Sequence, residues 1–305
     1  MLTGLLITQA LNGLQLGVLL FLLAAGLTLV FGIMNFVNLA HGSLYMMGAY
    51  FAAVAAGWTG SFLLGALIAI PATALLGFIV EQVALKGLYQ RDHLDQVLAT
   101  FGLILFFNEL VRMIWGPSPV YMSTPQWLSG TVNLFGYTYS AYRFAIIVVG
   151  LAVAAGLYWL INRTRIGMLI RAGATHAPMV GALGVNIKAL NSLVFALGAG
   201  LAGLAGLMSG PILSVQPCMG DPILILTLVV IIIGGIGSVR GALLGALLVG
   251  VVDTVGRTFL PIWLGAVFQP NIAQAAGPAI ASMSIYLLMA VVLAFKPQGL
   301  FPARA

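Results

Sequence analysis

Residues 26–50 read GLTLVFGIMNFVNLAHGSLYMMGAY, in which two apolar runs flank a short polar core. The core contributes two amides, an imidazole and a hydroxyl, from Asn35, Asn38, His41 and Ser43. An unpaired polar group in hydrocarbon costs several kcal/mol, so these side chains must face protein or water. The pattern predicts a membrane helix that is interrupted within this stretch.

Composition extends this prediction to the whole chain. Of 305 residues 62% are apolar and only 6% are charged, and none before Glu81 is charged. A soluble domain carries about 25% charged residues, so this chain cannot cover a water-facing surface. The apolar runs are long and lack two-residue alternation, which favours helices over barrel strands. The predicted fold is an all-α polytopic bundle of about 8–9 spans with broken helices. The predicted spans are 6–31, 40–57, 61–84, 96–115, 143–161, 189–209, 222–238, 241–262 and 276–295.

Basic residues predict the orientation of the bundle. The stretch Arg163–Lys188 contains four cations and no acid, and it should be cytoplasmic. With nine spans, the N-terminus is then outside and the C-terminus inside. Nine Lys and Arg face inward and three face outward, namely Arg112, Arg143 and Arg257. The uncharged segment 116–142 becomes the main external loop, where Trp127, Tyr137 and Tyr139 suit the membrane interface. The net charge of +6 thus reflects topology, and nucleic acid is not an expected partner.

Small residues predict close helix packing. Gly198, Ala202 and Gly206 form a stripe at four-residue spacing, and Gly241 and Gly245 begin a second one. A weak repeat relates residues 27–42 to 226–241, with six of sixteen positions identical. If the repeat is real, it places two broken helices at equivalent points of two halves, where transporters tend to build substrate paths.

Two interpretations of the polar core stay open. It lines a translocation path as part of a discontinuous helix, or its side chains hold helices together by hydrogen bonds. On a continuous helix the two asparagines and the histidine would share a face, while Gly32 and Gly42 permit a break. The candidate path residues are Asn35, Asn38, His41, Gly42, Ser43 and Tyr45.

The predicted cytoplasmic stretch 163–188 contains a short amphipathic helix. Pro178 suits its first turn and Gly184 its C-terminal end. Its apolar side chains, including Met179 and Leu183, either enter a groove on a soluble partner or lie on the lipid surface.

Two charge pairs and several absences complete the sequence-based predictions. Glu109 with Arg112, and Asp253 with Arg257, have spacings that allow ion pairs on one helix face. Ionisable groups in membrane spans are candidates for function, although structural pairing is favoured here. The single cysteine, Cys218, excludes an internal disulfide and a CxxC metal pair. No phosphate-binding loop or hydrolase motif occurs, so neither enzymatic activity, a cofactor nor a metal is expected.

Four motifs in order resemble the LivH-type permeases of branched-chain amino acid ABC transporters. They are residues 26–50, the stretch Arg171–Asn186, Gly234–Ala242 and Lys296–Phe301, and the resemblance runs from about residue 12 to 302. It implies a single transmembrane permease domain, 1–305, in the bacterial inner membrane. It also implies a coupling loop against an ATPase, with contact residues Arg171, Ala172, Pro178, Met179, Leu183, Gly184 and Asn186.

The resemblance further implies four kinds of partner: a second permease of LivM type, two ABC ATPase subunits, a periplasmic binding protein and membrane lipid. The family commonly has acidic residues where this chain has Thr175 and His176, which leaves the polar details of the ATPase contact open. Urea, amides or aromatic acids are alternative substrates. A stand-alone carrier or channel is a further alternative.

Overall fold

The computed structural model describes residues 2–134 and 136–301, and most of them are helical. Every predicted span coincides with a helix, which confirms the all-α class. One helix, α6, had been predicted as a shorter element outside the membrane. The elements are α1 (Leu2–Met34), α2 (His41–Thr59), α3 (Phe62–Val80), α4 (His93–Trp115), β1 (Thr131–Leu134), β2 (Tyr137–Ser140), α5 (Ala141–Arg163), α6 (Arg165–Ala182), α7 (Ile187–Leu213), α8 (Gly220–Gly234), α9 (Val239–Gly265) and α10 (Pro270–Phe295).

Seven of the helices are long and apolar enough to cross a membrane, and α2 and α8 are not among them. Most α2 side chains are buried in protein, so this helix needs no hydrocarbon-like composition. The 15 residues of α8 span only about 22 Å. The predicted continuation of that span to residue 238 is wrong, because Gly235 (φ 108°) and Gly237 (φ 82°) turn the backbone out of the helix.

Helices α1, α2 and α7 form the centre of the bundle and meet at glycines. A methyl group added to Gly26 would lie 2.7 Å from the carbonyl oxygen of Gly198. One added to Gly48 would overlap the backbone of Gly203, and one added to Gly206 would overlap that of Tyr45. The predicted stripe on α7 is therefore confirmed as a close-packing surface. It brings α7 against both α1 and α2.

The break between α1 and α2 differs in detail from the sequence-based prediction. Asn35 (φ 48°) ends α1 in the left-handed region, a common conformation for a residue after a helix. Gly32 lies inside α1 and Gly42 inside α2, so neither glycine makes the break. A methyl group on Gly42 would lie 2.7 Å from the Gly220 carbonyl oxygen, so Gly42 instead permits α2 to approach α8. The predicted interruption is confirmed, because residues 35–40 are not helical, so the face that Asn35, Asn38 and His41 would share on a continuous helix does not form.

Both copies of the weak repeat contain a helix, a short break and a second helix. The ends of α1 and α8, and the starts of α2 and α9, agree with the repeat alignment to within one residue. The prediction of two broken-helix elements at these positions is therefore confirmed.

The segment between α4 and α5 folds against the bundle. It contains the hairpin β1–β2, and Val120 pairs with Val215 through two backbone hydrogen bonds of 2.7 and 2.9 Å. Trp127 is exposed, but Tyr139 is buried, so its prediction as an interface residue is wrong. The Tyr139 hydroxyl donates to Asn12 of α1 at 3.2 Å. Burial raises the pKa of Tyr139 to about 12, although Arg143 opposes this shift, and the phenol stays a donor at neutral pH.

Candidate functional site

The polar core lies in the interior of the bundle. Asn38, His41 and Ser43 are almost completely buried, whereas Asn35 is exposed. Within the described residues, neither amide atom of Asn38, neither ring nitrogen of His41 nor the Ser43 hydroxyl makes a well-formed hydrogen bond. Buried polar groups without partners are rare in folded proteins. This cluster of three adjacent residues therefore needs a reason beyond packing.

The neighbours of the polar core bear on its two interpretations. The His41 Nε2 atom packs against Gly26 of α1, and a methyl group added to Gly26 would lie 2.9 Å from it. Helix-to-helix hydrogen bonding, the structural interpretation, applies to Tyr45, whose hydroxyl donates to Ser209 of α7 at 2.6 Å. It does not account for Asn38, His41 and Ser43, which lack such partners in the part of the chain that is described.

A buried carboxylate that sequence reasoning did not select lies at the end of α3. Glu81 is almost fully buried and begins a π-helical turn, Glu81–Leu85, of the kind often found at functional sites. Its oxygens accept hydrogen bonds from Tyr89 (2.7 Å), Gln82 (2.8 Å) and Ser192 of α7 (2.7 Å). Among the described residues, no charged nitrogen of a Lys, Arg or His side chain lies within 4 Å of the Glu81 carboxylate oxygens. Three neutral donors thus hold the carboxyl group.

Tyr89 connects this carboxylate to the break between α1 and α2. Burial, together with the hydrogen bond to Glu81, raises the pKa of the Tyr89 phenol, which therefore remains a donor. The ring of Phe36, inside the break, packs edge-on against Tyr89 with centroids 5.5 Å apart. The break, the turn after α3 and the start of α7 are therefore connected through four side chains, those of Phe36, Tyr89, Glu81 and Ser192.

We predict that Glu81→Leu lowers the thermal stability of the detergent-purified chain. The substitution removes the acceptor of three hydrogen bonds and leaves the Tyr89 hydroxyl without another acceptor among the described residues. Gln82 can still donate to Ser192 (2.6 Å), and Ser192 to the Lys188 carbonyl oxygen (3.1 Å), so the total cost should be about 2 kcal/mol. Glu81→Gln keeps one acceptor oxygen, so its loss of stability should be less than half of that caused by Glu81→Leu. Equal melting temperatures for Glu81→Leu and the unmodified chain would contradict this account.

The predicted amphipathic helix is the second half of α6. The backbone leaves helical geometry at His176 (φ −154°), and Pro178 lies in the first turn of the piece that follows. His176 Nδ1 accepts the Met179 backbone N–H at 3.3 Å, a capping role that the sequence did not reveal. Gly184 (φ 91°) ends the segment, as predicted.

The exposed side chains of α6 form a candidate contact surface. Met179 is 61% exposed and Leu183 is 79% exposed, and neither is covered by the described chain. Arg171 and Pro178 are also exposed, while Ala172 is half-buried. The Arg171 guanidinium donates to the Ile161 carbonyl group and ties α6 to α5.

Asn186 has a structural task at the end of this segment. Its side chain caps α7 by accepting the Ala189 backbone N–H at 3.1 Å.

The two charge pairs have the expected geometry. Arg112 lies 2.8 Å from Glu109, and both side chains are largely exposed. Arg257 lies 2.7 Å from the buried Asp253 and also donates to Ser282 of α10 at 2.9 Å. The second pair joins α9 to α10.

The bundle thus combines a polar, interrupted helix in its interior with exposed apolar side chains on α6, an arrangement typical of a membrane transport subunit. The chain belongs to the family described as the permease component of the branched-chain amino acid transport system, whose model matches residues 9–294. It is a multi-pass protein of the inner membrane and a non-catalytic component of a transport system.

Curated relatives match most of the chain. The permease protein BraD of Pseudomonas aeruginosa is 30% identical, with 96% of this chain and 94% of that protein covered. LivH of Salmonella typhimurium is also 30% identical, with 83% of this chain and 86% of that protein covered. Among solved structures, a chain of PsaBC from Streptococcus pneumoniae has 13% identity and a TM-score of 0.46, with 91% of this chain and 89% of that chain covered.

Proposed function

We propose that this chain is the membrane-spanning permease subunit of an ABC importer for branched-chain or related amino acids. A periplasmic binding protein delivers the amino acid, a second permease of LivM type completes the pathway, and two ATPase subunits drive it. The observation that carries the proposal is the family match over residues 9–294. The names of BraD and LivH, high-affinity branched-chain amino acid permease proteins, favour this substrate class.

The proposal assigns ATPase contact to the second half of α6. Met179 and Leu183 present apolar area that the described chain leaves uncovered, as expected for a helix that enters a groove on a partner. Movement of the ATPase subunits would then act on α7 directly, since Asn186 caps that helix immediately after the contact segment.

Reconstitution tests the proposed function. Proteoliposomes containing this chain with its co-expressed partners should accumulate leucine or valine only when ATP and the binding protein are both present. Omission of ATP is the control, and urea and an aromatic acid are the competing substrates. Transport by this chain alone, without ATPase subunits, would contradict the proposal and favour a stand-alone carrier.

We further propose that the polar core, which is buried in this structure, lies along the substrate path in a state in which it is open to substrate. The unpartnered atoms of Asn38, His41 and Ser43 support this assignment, because they are available to substrate or water once α1 and α2 separate from α7 and α8. The flanking break at residues 35–40 supplies non-helical backbone at the same place.

Replacing Asn38 with leucine separates the two interpretations of the core. If Asn38 serves the path, Asn38→Leu should leave the melting temperature unchanged or raise it, because no hydrogen bond is lost, and should lower uptake at least tenfold. The matched control is Tyr45→Phe, which removes the bond to Ser209 and should cost about 1 kcal/mol of stability. A strongly destabilised Asn38→Leu variant would favour the structural interpretation.

A further inference from the structure

An open groove lies at the surface of the bundle between residues of α3 and α7. Its volume is about 670 Å³, and it is open along one side. Leu75 and Phe78 of α3, and Leu193 and Ala196 of α7, form its apolar part. Leu75, Phe78 and Leu193 are 41–59% exposed, so the described chain does not fill the groove.

Positive charge is concentrated at one end of this groove. Lys86 follows the π-helical turn after α3, and Lys188 lies in the first turn of α7. Both side chains are exposed, and neither forms an ion pair with a described residue. Lys86 donates to the amide oxygen of Gln82 at 2.9 Å. The two ammonium groups thus flank the predicted cytoplasmic mouth of an otherwise apolar groove.

The groove has the dimensions of one lipid leaflet. Eleven residues separate Leu75 from Lys86 along α3 and the turn that follows. At 1.5 Å per residue this is about 16 Å, close to half of the roughly 30 Å hydrocarbon core. Apolar walls therefore lie at the depth of acyl chains and the lysines at the depth of headgroups.

We propose that the α3–α7 groove is a binding site for an anionic phospholipid of the cytoplasmic leaflet. The acyl chain lies along Leu75, Phe78 and Leu193, and the phosphate group pairs with Lys86 and Lys188. Basic pockets between membrane helices on this side of a bilayer characteristically bind acidic headgroups. A protein partner would not require charge at one end only, whereas a lipid has this polarity by its chemistry.

The polar floor of the groove connects the site to the interior. Gln82 and Ser192 line it, and both also donate to the buried carboxylate of Glu81. A bound headgroup therefore lies next to the network that joins α3 to α7.

Photocrosslinking tests the site in the full chain with its co-expressed partner subunits. The complex is placed in phosphatidylcholine nanodiscs that contain a trace of photoactivatable phosphatidylglycerol. Labelled peptides should map to residues 74–86 and 188–196, and photoactivatable phosphatidylcholine should label them weakly. Lys86→Ala/Lys188→Ala should weaken phosphatidylglycerol binding about 25-fold, since each lysine near an anionic surface contributes about a factor of five.

Three further variants separate specific binding from general effects. Arg163→Ala/Lys296→Ala removes the same charge from the predicted cytoplasmic face and should leave the labelling unchanged. Lys86→Arg/Lys188→Arg should retain it, and Leu193→Trp should reduce it by filling the apolar part. Equal labelling of the double-alanine variant and the unmodified chain would overturn the proposal. So would a disulfide or crosslink from Leu193→Cys to another subunit, because a protein would then occupy the groove.

Discussion

Replacing Gly48 with alanine should prevent most of the expressed protein from folding. A methyl group at this position overlaps the backbone of Gly203, where α2 crosses α7 at the centre of the bundle. A backbone cannot move aside as a flexible side chain can, and Gly203 is itself held from behind by Thr73 of α3. We expect the free energy of unfolding to fall by about 3 kcal/mol or more. The yield of monodisperse protein on size-exclusion chromatography in detergent should then fall sharply.

Gly57, on the same helix, provides the matched control. Apart from its chain neighbours and the adjacent backbone of α2, no described residue comes within 4 Å of a methyl group added there. Gly57→Ala should therefore be neutral or should stabilise the chain by up to about 1 kcal/mol through helix propensity. If the two alanine variants gave the same yield and melting temperature, the crossing of α2 and α7 could not be as close as described.

Placing acidic groups on the contact surface of α6 should abolish coupled transport without unfolding the chain. Met179→Asp/Leu183→Asp changes two exposed side chains, so the stability of the isolated subunit should shift by no more than about 0.5 kcal/mol per site. Burying unpaired carboxylates at a subunit contact is strongly unfavourable, so uptake should fall at least tenfold and the ATPase subunits should co-purify less. Binding-protein-stimulated uptake and pull-down yield measure the two effects.

Thr175→Asp controls for the added charge. Thr175 is exposed on the first half of α6, before the change of direction at His176. An aspartate at position 175 should leave uptake within about a factor of two of that of the unmodified complex. Normal coupling by the double-aspartate variant would remove α6 from the proposed ATPase contact.

Most of the fold follows from features that act over short distances along the chain. Hydropathy located nine of the described helices, because each is an apolar run bounded by polar residues or glycine, although α2 and α8 are not among the seven that are long and apolar enough to cross a membrane. The end of α8 was missed because apolar residues continue past Gly235, and only the positive φ of Gly235 and Gly237 ends the helix. The polar residues predict the break before α2 but not the residue that ends α1, because the positive φ of Asn35 follows from its surroundings in the fold.

The candidate site was less accessible to sequence reasoning, because its contacts join residues far apart in the chain. Glu81 was visible as the first acid in the sequence, yet its burial depends on Ser192, more than a hundred residues away. Its position at the end of a predicted span and the adjacent Gln82 were the available signals. The helix cap made by His176 could have been inferred from Pro178, which already indicated that a new helix starts there.

The modest apolar character of α2 has a consequence for biosynthesis. A translocon that releases segments into lipid one at a time favours those that are apolar on every side. Helix α2 instead packs His41 against α1, Tyr45 against α7 and Gly42 against α8, and α7 and α8 are synthesised more than a hundred residues later. Insertion of α2 therefore depends on retaining early segments beside the translocation channel until the C-terminal half arrives to enclose them.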